Sequence, residues 1–169
     1  MSRAGQVVVV TGGANGIGKA LCEKFAAEGA SVVVVDMNMA AAQAVADACD
    51  GVALSANCSV EMDLRRVISQ TEYQVGPIDV FCANAGIPSN GGIDVPNDEW
   101  DRIWRVNSLS HVWVARHLFP RWIESKVEGS FVITASAAGL LTQVGSLPYS
   151  VTKHAAVSMA EWLAITYKE

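Results

Sequence analysis

A chain of 169 residues is long enough for one domain with a real core, and 51% apolar with only 17% charged residues excludes a disordered protein. A net charge of −5 with no basic run argues against nucleic acid or an anionic membrane as partner. The start, "MSRAGQVVVVTGG", has too short an apolar run for a signal peptide, and no stretch nears the roughly 20 residues of a bilayer span, so a cytoplasmic location is expected.

In chain order, short β-branched or apolar runs alternate with helix-length segments. The runs at 7–10, 31–35, 52–56, 78–83 and 130–135 suit strands buried on both faces of a parallel sheet. Between them, 16–28 carries Ile17, Leu21 and Phe25 at four-residue spacing and is closed by Gly29; 39–49 is rich in alanine; 60–74 follows Ser59, a candidate N-cap, and stops at "GP". A longer helix is expected from Asn97 to about Ser125, with a stripe of Trp100, Ile103, Trp104 and Val106 and a bend near Pro120. That stripe suits core or a subunit interface. The order strand, helix, strand, helix means right-handed βαβ units.

Cys22, Cys49, Cys58 and Cys82 show neither C-x-x-C nor histidines at metal-ligand spacing, so they are expected reduced and buried, with no metal. His111 and His117 have no ligand partners at i+3 or i+4 and read as surface or interface residues.

The first strand runs into "TGGANGIG". Gly12, Gly16 and Gly18 there lie between a strand and a helix start, where bare backbone N–H groups can take a pyrophosphate. Such turns also occur for backbone reasons alone. Here Asp36 follows at the end of the second strand, where a carboxylate can bind adenosine ribose hydroxyls and would repel a 2′-phosphate. NAD is therefore expected in preference to NADP.

Near the end, Tyr149 and Lys153 are spaced i, i+4 and share a helix face. A tyrosine phenol ordinarily titrates near pH 10, too high for efficient proton exchange at neutral pH. Lowering such a value by about 3 units takes roughly 4 kcal/mol, which a unit positive charge about 4 Å away supplies at an effective dielectric of 20. One lysine suffices for a general acid/base.

Five motifs in order, "TGGANGIG" at 11–18, "ANAG" at 83–86, Asn107, Ser136 in "ITASAAG" and Tyr149-x-x-x-Lys153, make the chain resemble the short-chain dehydrogenase/reductase family. The resemblance implies a Rossmann-type doubly wound α/β sheet of order 3-2-1-4-5 in one dinucleotide-binding and catalytic domain. It implies a catalytic tetrad of Asn107, Ser136, Tyr149 and Lys153, in which Ser136 holds the substrate oxygen, Lys153 also binds the nicotinamide ribose and Asn107 supports a relay water. It further implies that NAD lies against Gly12, Asn15, Gly16, Ile17 and Gly18, then Asp36, Asn57 and Cys58, then Asn84, Ala85 and Gly86, with Tyr149 and Lys153 at its nicotinamide end. The reaction implied is hydride transfer between NAD(H) and a small-molecule secondary alcohol or ketone, in a homodimer or homotetramer paired through the long helix and the Tyr/Lys helix.

Asn57 stands where many relatives have an aspartate, and its amide oxygen is expected to accept from the adenine amino group. Ala83 replaces the first asparagine of the usual "NNAG". Relatives continue past the Tyr/Lys helix with further strands, so the domain is expected to be incomplete at its C-terminus, with the alternative that this form binds NAD without turnover. A sugar-nucleotide epimerase also pairs Tyr with Lys, but Asn15 occupies the second glycine of that group's turn. The segments "IPSNGGIDVP" and "LLTQVGSLP" are expected to line the substrate pocket, with Asp94 as the only charged anchor, which favours a neutral or apolar substrate.

Overall fold

The computed structural model describes residues 3–167. Five parallel strands, β1 (Val7–Thr11), β2 (Ser31–Asp36), β3 (Val52–Ser55), β4 (Val80–Ala83) and β5 (Ser130–Ile133), form one sheet in the order β3-β2-β1-β4-β5. Six α-helices connect or follow them: α1 (Gly16–Ala27), α2 (Met39–Ala48), α3 (Glu61–Gln74), α4 (Asn97–Trp104), α5 (Ser110–Ser125) and α6 (Leu147–Thr166). This is the Rossmann-type α/β fold that the strand and helix alternation predicts.

Strand side chains alternate between two helical layers. Val8, Val10, Val32 and Val34 pack with Cys22, Ala42, Val45 and Ala46 of α1 and α2, while Val9, Val33, Val35 and Phe81 pack with Leu64, Ile68, Val114 and Leu118 of α3 and α5. The eight valines at 7–10 and 32–35 are almost wholly buried, and each such side chain contributes about 1.5–3 kcal/mol relative to exposure. That is why these runs are continuous rather than alternating. From β1 the chain crosses to one face and from β4 to the other, so the C-terminal ends of these neighbouring strands diverge and leave a crevice.

Several expectations need correction. The long helix is interrupted by a π-helical turn at Arg105–Leu109, where the Ser110 N–H reaches back to the Arg105 carbonyl, whereas α5 continues through Pro120. Within the tryptophan stripe only Ile103 is buried; Trp104 is exposed. The N-cap of α3 is Val60 rather than Ser59, whose groups bond to Asn57 instead. His111 is buried at 1% exposure, because the π turn rotates this part of the helix toward α6 and the sheet. Cys22, Cys58 and Cys82 are buried free thiols, but Cys49 is half-buried. His117 stays near the surface beside Glu61. Among the described residues no helix is long and apolar enough to cross a membrane, and no His, Cys, Asp or Glu cluster could hold a metal.

Candidate active site

A cleft of about 790 Å³ opens at the C-terminal ends of the strands. A larger groove, about 1190 Å³, runs beside β5 between α5 and α6, but none of the sequence-predicted site residues lines it.

On one side the cleft is backbone. Gly12 has φ +64°, and a Cβ on Gly18 would fall on the Gly12 carbonyl, so only glycine lets α1 close onto the turn. Asn15, Gly12, Ile17 and Gly18 line the cleft. Asn15 caps α1 without using its side chain on the first turn, which leaves that helix's leading N–H groups available. Asp36 ends β2 with its carboxylate fixed by the Ala14 N–H at 3.3 Å and the Asn38 N–H at 3.0 Å. Asn57 and Cys58 lie along the same wall; burial pushes the Cys58 thiol up to about 12, so it stays protonated. The Asn57 amide oxygen, expected to face a purine amino group, instead accepts from Ser59 N at 3.0 Å and Ser59 Oγ at 2.8 Å. Its lone pairs are thereby used, and the NH2 is what remains to offer.

Asn84 joins three strands. Its Nδ2 donates to the Thr11 carbonyl at 3.0 Å, its Oδ1 accepts from Thr134 Oγ1 at 3.0 Å, and its backbone N–H donates to Thr11 Oγ1 at 3.0 Å. Ala85 N–H also donates to Thr11 Oγ1. The "ANAG" turn is thus pinned at the switch between β1 and β4. A methyl on Gly86 would stand 3.3 Å from Lys153 Nζ and 3.5 Å from Asn107 Oδ1, so its absence keeps the cleft open over both groups.

On the other side the cleft is buried polar side chain. The Asn107 amide, wholly buried in the π turn, accepts from Ile87 N–H at 2.9 Å and donates to the Ile87 carbonyl at 3.0 Å and to Thr152 Oγ1 at 3.2 Å. Ser108 Oγ donates to the Thr152 carbonyl. A π turn adds a residue to a helix and re-aims what it carries, and here it sets the long helix against α6.

Lys153 is 3% exposed; its Nζ donates to the Thr134 carbonyl at 2.9 Å and lies 5.7 Å from the Tyr149 ring centroid. Burial lowers its pKa below the usual lysine value. Ser136 caps a single 3-10 turn, its Oγ accepting from Ala138 N–H at 3.2 Å, which leaves its own O–H free to donate into the cleft. Ser136, Tyr149 and Lys153 line one cleft with the glycine turn.

The two pocket segments are joined. Gly91 N–H donates to the Gly145 carbonyl at 2.8 Å, Leu147 N–H to the Gly91 carbonyl at 3.0 Å, and Ser146 Oγ bonds to the Ser89 carbonyl. Arg102 of α4, paired with Glu99 at 2.7 Å, also lines the cleft, a charged neighbour not anticipated. Thr11, Thr134, Thr152 and Ile87 were missed as well. For Thr134 a signal existed, since it lies near the C-terminal end of the fifth apolar run, two residues before Ser136.

The sequence profile described as short chain dehydrogenase matches residues 6–169. This chain belongs to the short-chain dehydrogenase family. It is 36% identical over 166 residues to the sex determination protein tasselseed-2 of Zea mays, covering 93% of this chain and 49% of that one. To 1-deoxy-11-beta-hydroxypentalenate dehydrogenase of Streptomyces arenae it is 33% identical, over 94% of this chain and 59% of the relative. A solved chain from Novosphingobium aromaticivorans, described as a short-chain dehydrogenase, superposes with a TM-score of 0.89 at 27% identity, covering 96% of this chain and 63% of the other. The chain thus spans about half to two thirds of the length of these relatives.

Proposed function

We propose that this chain carries the site of an oxidoreductase that interconverts a small-molecule secondary alcohol and its ketone with NAD(H). The observation that supports it most is a lysine ammonium, nearly inaccessible to solvent, 5.7 Å from the Tyr149 ring in the cleft that the glycine turn also lines. The residues present fit a dinucleotide: the cradle at Gly12 and Gly18 is one a side chain would fill, and uncapped N–H groups of α1 face an anion's requirements.

The nicotinamide, when bound, supplies or accepts the hydride. The turn's N–H groups hold the pyrophosphate, and Asp36 takes the ribose hydroxyls and would oppose a 2′-phosphate. Ser136 donates its free O–H to the substrate oxygen. Tyr149 gives its phenolic proton to the carbonyl oxygen in reduction, or in oxidation, as the phenolate, takes one from the alcohol, with the Lys153 ammonium beside it. Asn107, locked by Ile87 and Thr152, fixes the π turn behind them. Relatives named for a hydroxypentalenate and a 3beta-hydroxysteroid support an alcohol as substrate. The single catalytic domain, the cytoplasmic location and a homodimer or homotetramer through α5 and α6, where Trp162 and Ile165 are exposed, belong to the same proposal.

The test is appearance of reduced nicotinamide absorbance with NAD and a panel of secondary alcohols. Turnover is expected with at least one alcohol and lost in Tyr149→Phe; turnover retained in that variant would count decisively against the mechanism.

A further inference from the structure

His111 follows Asn107 by one helical turn, and its ring is buried. Ser110 Oγ gives its single proton to the Val106 carbonyl at 2.6 Å, so toward His111 Nδ1, at 3.3 Å, it offers only lone pairs. Nδ1 must therefore carry the ring proton. Nε2 is then a bare acceptor, buried and without a hydrogen-bond partner among the described residues. A second ring proton is opposed by burial and by the nearby Lys153 charge, and only weakly favoured by the Asn107 backbone carbonyl, which brings the imidazole pKa down to about 4. The ring is neutral at pH 7.

A buried acceptor with no donor is rare and costly. Close by, the Lys153 ammonium has three protons and gives one to the Thr134 carbonyl. The acceptor stands four residues past Asn107, and the cation follows Thr152, to which Asn107 and Ser108 both bond, so the two lie at one junction of the π turn with α6. We infer that His111 is a positioning residue of the site: its Nε2 accepts from Lys153 through one buried water and holds the ammonium charged beneath Tyr149. This rests on the reading of Tyr149 and Lys153 as the acid/base pair. Lys153 is the charged group that acts on the ring; the groups of Asn107 and Ser110 around it are neutral.

The test uses the chain as it stands. Nitrogen NMR of labelled histidine is expected to show His111 as the Nδ1–H tautomer. Carbon NMR of labelled lysine, titrated with pH, is expected to show the Lys153 midpoint falling by about one pH unit in His111→Leu, as expected on losing an acceptor for a charged group. His111→Gln, whose amide oxygen can replace Nε2, is expected to restore most of it. An Nε2–H tautomer overturns the inference, and so does an unmoved Lys153 midpoint in a folded Leu variant or an equal fall in Leu and Gln variants. Should the Leu variant not fold, the tautomer and the Gln midpoint decide, and a Gln fall of about one unit overturns it. None of these readouts needs turnover, so failure of the acid/base reading shows separately, as full activity in Tyr149→Phe.

Discussion

The two walls of the cleft are built in opposite ways. The wall at the glycine turn works by missing side chains: Gly12, Gly18 and Gly86 leave room, and the leading backbone N–H groups of α1 are left without a side-chain cap. The wall on α6 and the π turn works by burying polar side chains that would otherwise sit in water, Lys153, Asn107 and His111 among them. The first is insensitive to pH and intolerant of added atoms. The second tolerates shape changes better but carries an electrostatic cost that varies with pH.

Four measurements would break or sharpen this contrast. The largest effect is expected from Tyr149→Phe, which should cut turnover by roughly 10²–10⁴-fold while leaving NAD affinity by calorimetry nearly unchanged. Next comes acid stability. His111 has a folded pKa of about 4 against the ordinary imidazole value of 6.5, so the unfolded chain binds more protons between these values. Stability is full above about 6.5 and lost as the pH falls toward about 4, by on the order of 3 kcal/mol. Urea unfolding should show that loss in the wild type and not in His111→Gln. A slope equal in both would remove the electrostatic half of the contrast.

Gly18→Ala should cost about 1–3 kcal/mol of stability through overpacking and weaken NAD binding more than tenfold, since the turn must shift to admit the methyl. The smallest effect is expected at Asp36, where Asp36→Ala should weaken NAD about tenfold, the loss of a hydrogen bond to a charged group. NADP should be weakened less. Equal losses for both cofactors in competition assays would deny Asp36 its selecting role.

How far each wall was legible follows from the same contrast. The glycine turn, Asp36 and the Tyr149/Lys153 pair are local patterns, whereas the strand order is legible only through the family resemblance that the five motifs carry. The structure brings them to one cleft. The burial of His111 could not be read locally, because it depends on a π turn that inserts one residue's rotation, and nothing in "RVNSLSH" announces it. Thr152 and Ile87 act only because α6 and the loop after β4 converge on Asn107. The Asn57 amide and the Ser59 cap read as separate features in the sequence; the structure joins them, giving that serine to Asn57 and leaving α3 to begin without a side-chain cap.

The bridge between Gly91 and Ser146 has its own consequence. Because the segment after β4 and the segment before α6 share hydrogen bonds in both directions, neither can swing away alone. Opening of the cleft on that side is expected to part both segments at once. The amides of Gly91 and Leu147 should then exchange with deuterium at a common rate, and a Ser146→Ala change, by cutting the tie to the Ser89 carbonyl, should quicken both together.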